Sequence, residues 1–97
     1  MSEIHVEFIG RFRELFKSKS INVPVNASIS LLKLIKELGE KAGVDLVSHF
    51  LSPRGESMDD YSLIILNGNP VDLTRLDEYS VGPGDRVVLS PSVAGGG

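Results

Sequence analysis

Apolar and polar side chains alternate along residues 4–9, near the start of the chain. The positions on one side of the alternation are Ile4, Val6 and Phe8, and those on the other are His5, Glu7 and Ile9. A period of two is typical of a strand with one buried face, so the segment predicts such a strand. Gly10 ends it, and the mixed stretch 11–16 is interpreted as a loop or short turn.

A second, shorter alternation covers residues 20–25. Its apolar positions are Ile21, Val23 and Val25. Pro24 lacks the N–H that a central strand must donate, so we expect this strand at the edge of a sheet. Two strands so close in sequence predict an N-terminal hairpin.

The spacing of apolar residues changes to three and four between residues 29 and 42. The apolar stripe consists of Leu31, Leu32, Leu34, Ile35, Leu38 and Ala42. Because polar side chains fill most of the other positions, the pattern predicts an amphipathic helix that starts at Ile29. We expect Ser28 to cap its first turn and Gly43 to end it in a left-handed conformation.

Residues 44–60 predict a short second helix followed by a loop. The inward positions of this helix are expected to be Val44, Val47, Phe50 and Leu51. The stretch 52–60 is rich in serine, aspartate, glycine and proline, which favour turns.

Strands and tight turns are predicted in the remainder of the chain. The apolar run 63–66 predicts a strand buried on both faces. Asn67 and Gly68 both tolerate the positive φ of a tight turn, and Val71 is expected to begin the return strand. A turn at residues 82–85 precedes a last strand at 86–89.

Together these elements predict one α+β domain over residues 1–91. Its architecture is a roll, with one long helix packed on one face of a mixed sheet of four to five strands. Residues 92–97 are small and rich in glycine, so they are predicted to form a flexible C-terminal tail.

The composition and charge exclude several classes of function. The chain has 97 residues, of which 41% are hydrophobic and 24% charged, and its formal net charge is −3. This is typical of a single soluble domain and offers no basic surface for nucleic acid or an anionic membrane. No apolar run reaches the roughly 18 residues of a membrane span, and the N-terminus lacks a secretory pattern. We expect a cytoplasmic protein.

Side chains able to support catalysis or bind metal are few. The chain has no cysteine and two histidines, which excludes disulfides, thiolate metal sites and a cysteine nucleophile. His5 is expected at the surface and His49 packed or half-exposed. The acidic pair Asp59-Asp60 and the cluster of Arg11, Arg13 and Lys17 are interpreted as solvated loop residues. We therefore expect no active site, bound metal or bound cofactor within the domain.

Three glycines, Gly95 to Gly97, end the printed sequence. Without Cβ atoms they can pass extended through a narrow channel and bring a terminal carboxylate into another protein's active site. From residue 92 to 97 the tail can reach roughly 20 Å. Since a carboxylate is a poor electrophile, it would need ATP-dependent adenylation by a partner. A sulfur donor would then yield a thiocarboxylate, and a lysine amine an isopeptide conjugate.

Four segments carry a resemblance to a known family: residues 8–15, 27–32, 66–71 and 83–96. The last is the most specific, because a Gly-Asp turn, a strand and then Pro-Ser-Val-Ala-Gly-Gly follow one another in order. In these segments the chain resembles the β-grasp sulfur carriers of the MoaD/ThiS type. It is most similar to the small subunit of molybdopterin synthase, with ubiquitin-related modifiers as more distant relatives.

The resemblance implies a ubiquitin-like β-grasp fold and a role as a carrier subunit and substrate, with catalysis residing in partners. The carboxylate of Gly97 would be adenylated and thiocarboxylated by a ubiquitin-activating-type enzyme that uses ATP. The carrier would then deliver sulfur inside the large subunit of molybdopterin synthase, in molybdenum cofactor biosynthesis. Val93 and Ala94 would guide the tail, and Gly95 and Gly96 would keep it slender.

Three functions remain open. The first is the sulfur carrier, the second is a ubiquitin-like modifier that is conjugated to lysines through the same tail, and the third is an interaction module with an inert tail. The reactive end is placed on Gly97, with a chain trimmed to Gly96 as the alternative. For any of the active roles, we expect partners to bind the sheet face away from the helix, where Ile9 and Val88 would be exposed.

Overall fold

The computed structural model describes residues 2–92. Its strands are β1 (Glu3–Phe8), β2 (Ser20–Pro24), β3 (Ile29–Ser30), β4 (Ser62–Leu66), β5 (Asn69–Pro70), β6 (Ser80–Val81) and β7 (Arg86–Pro91). Its helices are α1 (Arg11–Phe16) and α2 (Leu31–Ala42), with 3₁₀ helices at Leu46–His49 and Leu73–Glu78. The main sheet has five strands in the order β2-β1-β7-β4-β5, and β3 pairs with β6 in a separate small sheet.

The main sheet is mixed because one neighbouring strand of β1 runs antiparallel to it and the other runs parallel to it. It pairs antiparallel with β2 and parallel with β7, and β7 pairs antiparallel with β4. The predicted N-terminal hairpin is confirmed, and so is the edge position of β2, whose last residue is Pro24. The α+β architecture with one long helix and a mixed sheet is confirmed as well.

The core lies between the main sheet and α2. Its fully buried residues in β1 are Ile4, Val6 and Phe8, and those in β7 are Val87 and Leu89. The buried apolar residues of α2 are Leu31, Leu34, Ile35 and Leu38. Gly39 also faces inward, where a Cβ would lie 2.8 Å from the carbonyl oxygen of Val44. The chain that follows α2 therefore packs directly against the helix backbone.

The segment 11–16 is a helix, so its interpretation as a loop was wrong. Phe12 is fully buried and its ring stacks on Phe50 with centroids 5.5 Å apart. Phe16 stacks on Phe8 at 4.2 Å. Tertiary packing of these rings stabilises a helix of six residues, which is too short to be stable by itself.

The long helix begins two residues later than predicted. Ser30 is its N-cap, with Oγ accepting from the Lys33 N–H at 3.1 Å, whereas Ser28 makes no cap. The reason is that Ile29 and Ser30 pair with Val81 and Ser80 and are held extended. Gly43, at φ 72°, ends the helix as predicted.

The second half contains the predicted elements with shifted detail. The helix after α2 is a single 3₁₀ segment, and its buried residue Leu46 was not among the inward positions expected. The Asn67-Gly68 turn is confirmed, with φ 49° and 89°, but the return strand is Asn69–Pro70 rather than a strand from Val71. β7 continues two residues past its predicted end, to Pro91.

The strand β4 is buried on one face, which corrects the prediction that both faces are buried. Ser62 and Ile64 are buried, whereas Leu63 and Ile65 are only partly so. The small sheet and helices cover one side of the main sheet, and no described element covers the side to which Leu63 and Ile65 point.

Candidate functional site

The end of β7 is fixed to the domain before the chain reaches its glycines. Pro91 pairs with Ser62 of β4, and the Ser92 N–H donates to the carbonyl oxygen of Tyr61 at 3.0 Å. β7 lies between β1 and β4, so its backbone is held from both sides. Together with Gly10 and Arg11, we call these residues the tail exit.

Gly10 allows the close approach of β7 to the start of α1. Its φ of 60° and ψ of −130° belong to a region that is essentially restricted to glycine. A Cβ at this position would lie 2.7 Å from Cγ of Pro91, well inside contact distance. Both backbone conformation and space therefore require glycine here.

Arg11 connects α1 to Tyr61 and to Ser62, the first residue of β4. Its guanidinium carbon lies 4.1 Å from the ring centroid of Tyr61 and 4.7 Å from that of Phe12. One terminal nitrogen donates to the hydroxyl of Ser62, which is fully buried. These contacts combine cation–π attraction with a charge-assisted hydrogen bond. Arg11 therefore holds the start of α1 against Tyr61 and Ser62 at the tail exit.

The interpretation of the basic cluster as solvated was wrong for Arg11, which is part of the tail exit. Arg13 is exposed, as expected, although its Nε donates to the carbonyl oxygen of Phe8 at 3.0 Å. Lys17 is exposed, as expected, and takes φ 54° at the end of α1. Arg11 and Tyr61 lie 50 positions apart, so no local sequence pattern could have paired them.

His49 packs between the rings of Phe12 and Tyr61, next to the tail exit. Its ring lies 5.6 Å from Phe12 and 6.5 Å from Tyr61, and Nδ1 is buried without a hydrogen-bond partner among residues 2–92. Burial, and secondarily the positive charge of Arg11, lower its pKa below 6.5, while Asp45 acts weakly in the opposite direction. His49 is therefore neutral at physiological pH and packs as an aromatic ring, as predicted.

The outer sheet face is the side of the main sheet away from α2, and it carries an apolar row. In the pairing register Val88 lies directly between Glu7 of β1 and Ile65 of β4. Leu63 lies one pair further along β4, towards the tail exit. Ile9 is 39% exposed, as expected, and Val88 is half-buried on the expected face.

Charged and polar groups border this row at the opposite end from the tail exit. The guanidinium of Arg86 hydrogen-bonds to Oε1 of Glu7, and that bond is the main cause of a lowered Glu7 pKa. His5 lies at the surface, as predicted, and its Nδ1 is 2.9 Å from Oδ1 of Asn22. An apolar centre with a polar rim is typical of a protein-binding surface.

The residues predicted to react or to guide the tail lie outside the described part of the chain. They are Val93, Ala94, Gly95, Gly96 and Gly97. The predicted domain boundary after residue 91 and the flexibility of residues 92–97 stay predictions. Sequence reasoning placed the chemistry on the tail but missed Gly10, Arg11 and Tyr61, which form the base from which the tail leaves.

Within residues 2–92, no group of three or more histidine, aspartate or glutamate side chains is arranged to hold a metal ion. None of the helices in this part of the chain has the length and apolar character needed to cross a bilayer.

No family model matches the sequence, and a search of curated protein sequences returns no match. Solved structures do match. Small archaeal modifier protein 1 of Haloferax volcanii has a TM-score of 0.70 at 20% identity, over 94% of this chain and 98% of that one.

Two further structures extend the comparison. A Pyrococcus furiosus protein described as molybdopterin converting factor, subunit 1, has a TM-score of 0.70 at 21% identity, over 94% and 98% of the two chains. Urm1 of Trypanosoma brucei has a TM-score of 0.71 at 18% identity, over 94% and 92%. These neighbours are MoaD/ThiS-like β-grasp proteins, and the chain has their ubiquitin-like β-grasp fold.

Proposed function

We propose that this ubiquitin-like β-grasp chain is a sulfur carrier, activated at its C-terminal glycine and serving molybdopterin synthesis as a synthase small subunit. One observation carries the proposal. The central strand β7 ends at the tail exit, where Ser92 is hydrogen-bonded to Tyr61 and Arg11 stacks on the Tyr61 ring, and the sequence Val-Ala-Gly-Gly-Gly follows directly. A rigid domain with a slender, chemically reactive tail is what a carrier requires.

The tail exit supports delivery because it fixes where the tail starts. Residues 93–97 can span about 17 Å when extended, so a fixed origin limits the positions that the terminal carboxylate reaches. Preset positioning lowers the entropy that must be lost when reacting groups meet. Val93 and Ala94 would guide the tail in a partner's channel, and Gly95 and Gly96 would fit its narrow part.

The proposed chemistry begins with an attack on ATP. A carboxylate oxygen of Gly97 attacks the α-phosphorus, and pyrophosphate leaves, which gives an acyl adenylate. Hydrosulfide released by a sulfur donor then attacks the acyl carbon, AMP leaves with the bonding electrons of the broken C–O bond, and the S–H proton is lost to solvent. The product is a thiocarboxylate on the carrier. ATP binds to the partner, so the chain itself needs no cofactor.

Two partners are proposed for the outer sheet face. One is an adenylating enzyme of the ubiquitin-activating type, and the other is the large subunit of molybdopterin synthase. The apolar residues that support this are Ile9, Leu63, Ile65 and Val88. They lie on the same side of the sheet, and the row leads to the tail exit, so a bound partner would receive the tail.

Protein modification is the second candidate, and the neighbours give it specific support. Small archaeal modifier protein 1 and Urm1 share the fold, and the first is named as a modifier. The two roles require the same domain, tail and adenylation. They differ in the nucleophile that displaces AMP, which is sulfur for a carrier and a lysine amine for a modifier.

Intact-mass measurement of the chain isolated from its native host tests the proposal. A mass increase equal to the exchange of one oxygen for sulfur, located by fragmentation at the terminal glycine, is the result expected. The same fragmentation shows whether Gly97 or Gly96 carries the group. Attachment of the tail to lysines of other proteins, without a thiocarboxylate, would instead favour the modifier. An unmodified tail that no enzyme adenylates would contradict both.

A further inference from the structure

A groove lies at the free edge of the main sheet, on the opposite side of β1 from β7. It has a volume of about 550 Å³ and runs between α1, β2 and the end of α2. Its apolar lining consists of Leu15, Phe16, Ile21 and Ala42. Lys17 and Lys41 also line it, and none of its lining residues is acidic. We call it the edge groove.

The backbone of β2 presents hydrogen-bonding groups to this groove. The Val25 N–H donates to Ser2, and the Lys19 carbonyl oxygen accepts from Phe8. The backbone N–H and C=O groups of successive residues point alternately to the two sides of a strand. Those of residues 21 and 23 therefore also point to β1, and those of residues 20, 22 and 24 point away from it, to the free edge. Asn22, whose N–H and C=O are among these outward groups, is also a lining residue of the groove.

The neighbours of Asn22 restrict how long a strand can add to this edge. Oγ of Ser18 donates to the carbonyl oxygen of Ser20 at 2.7 Å and accepts from its N–H at 3.4 Å. Pro24 has no N–H to donate. Such features protect an edge against continuous sheet-to-sheet pairing. The edge therefore suits a short linear segment and not the β2 edge of a second copy.

We propose that the edge groove binds a short extended segment of a partner protein that has aliphatic residues beside acidic ones. The segment would exchange main-chain hydrogen bonds with Asn22 and place an aliphatic side chain on Ile21 and Phe16. Its acidic residues would lie near Lys17 and Lys41. Strand addition of this kind gains affinity from the backbone and specificity from side-chain pockets.

Charge complementarity selects this occupant. Two lysines with no carboxylate in the lining favour an acidic segment. The chain itself carries a net charge of −3, which disfavours association of two copies. The edge groove lies beside the edge strand β2, whereas the tail exit lies at the end of the central strand β7. This role therefore goes beyond sulfur transfer and does not depend on it.

Titration of the ¹⁵N-labelled full chain with a synthetic peptide, acetyl-Glu-Val-Ile-Val-Asp-Glu-amide, tests the inference by NMR. We expect amide shifts at Lys17, Ile21, Asn22 and Lys41, with those of Leu63 and Val88 unchanged. Lys17→Gln and Lys41→Gln should each weaken binding about two- to fivefold, as expected for an exposed ion pair. Lys36→Gln, exposed on the same helix but outside the groove, should leave the affinity unchanged.

Two altered peptides complete the test without changing the protein. Replacing the acidic residues by lysine should remove most of the binding. N-methylation of alternate peptide amides should weaken it at least fivefold, since about two backbone hydrogen bonds are lost. Equal binding of either altered peptide, shifts confined to the outer sheet face, or no shifts at all would overturn the proposal. Shifts that depend on protein concentration without peptide would instead show self-association and overturn it as well.

Discussion

The two strands that flank β1 differ in how their outer sides are used. β7 is paired on both sides and ends at the tail exit, where the Ser92 N–H donates to Tyr61 and Arg11 stacks on the Tyr61 ring. β2 is paired on one side, and Ser18 and Pro24 restrict its free edge. One strand is paired along both sides, and the other leaves a few backbone groups accessible. The main sheet thus provides both the tail exit and the edge groove, because one strand is central and the other is an edge strand that is only partly protected.

The largest effect is expected from placing a charge on the buried side of β7. Val87→Asp buries a carboxylate in the core and should cost about 4 kcal/mol or more, a large part of the roughly 5–15 kcal/mol that stabilises a typical domain. Val88→Asp lies on the outer sheet face and should leave the fold intact. Urea denaturation distinguishes the two. Unfolding by Val88→Asp would show that this face is structural.

Val88→Asp also tests whether the two surfaces are independent. It should weaken binding of the activating enzyme about tenfold or more, because a charge replaces an apolar contact at the centre of the interface. The affinity of the edge groove for its peptide should not change. Lys41→Gln should weaken binding of the peptide and leave the affinity for the activating enzyme unchanged. Isothermal titration calorimetry would measure both affinities. If either variant weakened both interactions, the surfaces would be coupled.

The conformation of Gly10 provides the next test of the tail exit. Gly10→Ala combines a backbone region restricted to glycine with a Cβ too close to Pro91, so we expect a loss of about 3 kcal/mol in unfolding free energy. Gly55→Ala is the matched control, because Gly55 has φ 79° but open space around it. Its cost should be about 1 kcal/mol. Equal costs would mean that contact with Pro91 is unimportant.

Removal of the Arg11 side chain should have a moderate effect. Arg11→Ala loses the stacking on Tyr61 and the hydrogen bond to Ser62, which together contribute about 1–2 kcal/mol. Hydrogen exchange of the Ser92 amide should accelerate more than that of amides in β2. Arg54→Ala, in the exposed loop, should change neither. Unchanged exchange at Ser92 would show that Arg11 does not hold the tail exit.

The smallest effect concerns pH. The folded state lowers the pKa of His49, so its neutral form is favoured and its contribution to stability is complete above 6.5. As the pH falls below 6.5, the unfolded chain takes up the proton first and the unfolding free energy decreases. His49→Gln should flatten this part of the profile, measured by urea denaturation across the pH range. A profile that keeps the same slope would assign it to other groups.

The parts of the fold that depend on local pattern were predictable. The alternation of β1, the apolar stripe of α2 and the Asn67-Gly68 turn are all encoded by neighbours in sequence. α1 was missed although Phe12, Leu15 and Phe16 have helical spacing, because six residues are too few for the period to be clear.

What could not be predicted depends on contacts between distant residues. The pairing of Ile29 with Val81 moves the start of α2. The stacking of Arg11 on Tyr61 joins segments 50 positions apart. The apolar run in β4 was interpreted as buried on both faces, whereas Leu63 and Ile65 face outward. The outward-facing Leu63 and Ile65 in this run were therefore the sequence signal that could have indicated the outer sheet face as an apolar surface.

The central claim is that the glycine tail is the element on which a partner acts. ATP–pyrophosphate exchange with the activating enzyme of the same host, comparing the parent chain with Gly96→Val, tests this most directly. A β-branched side chain should resist the narrow channel and displace the carboxylate, so we predict a loss of about a hundredfold in exchange rate. Thermal stability should be nearly unchanged, and Gly55→Ala should retain the parent rate. Exchange by Gly96→Val at the parent rate would contradict the account.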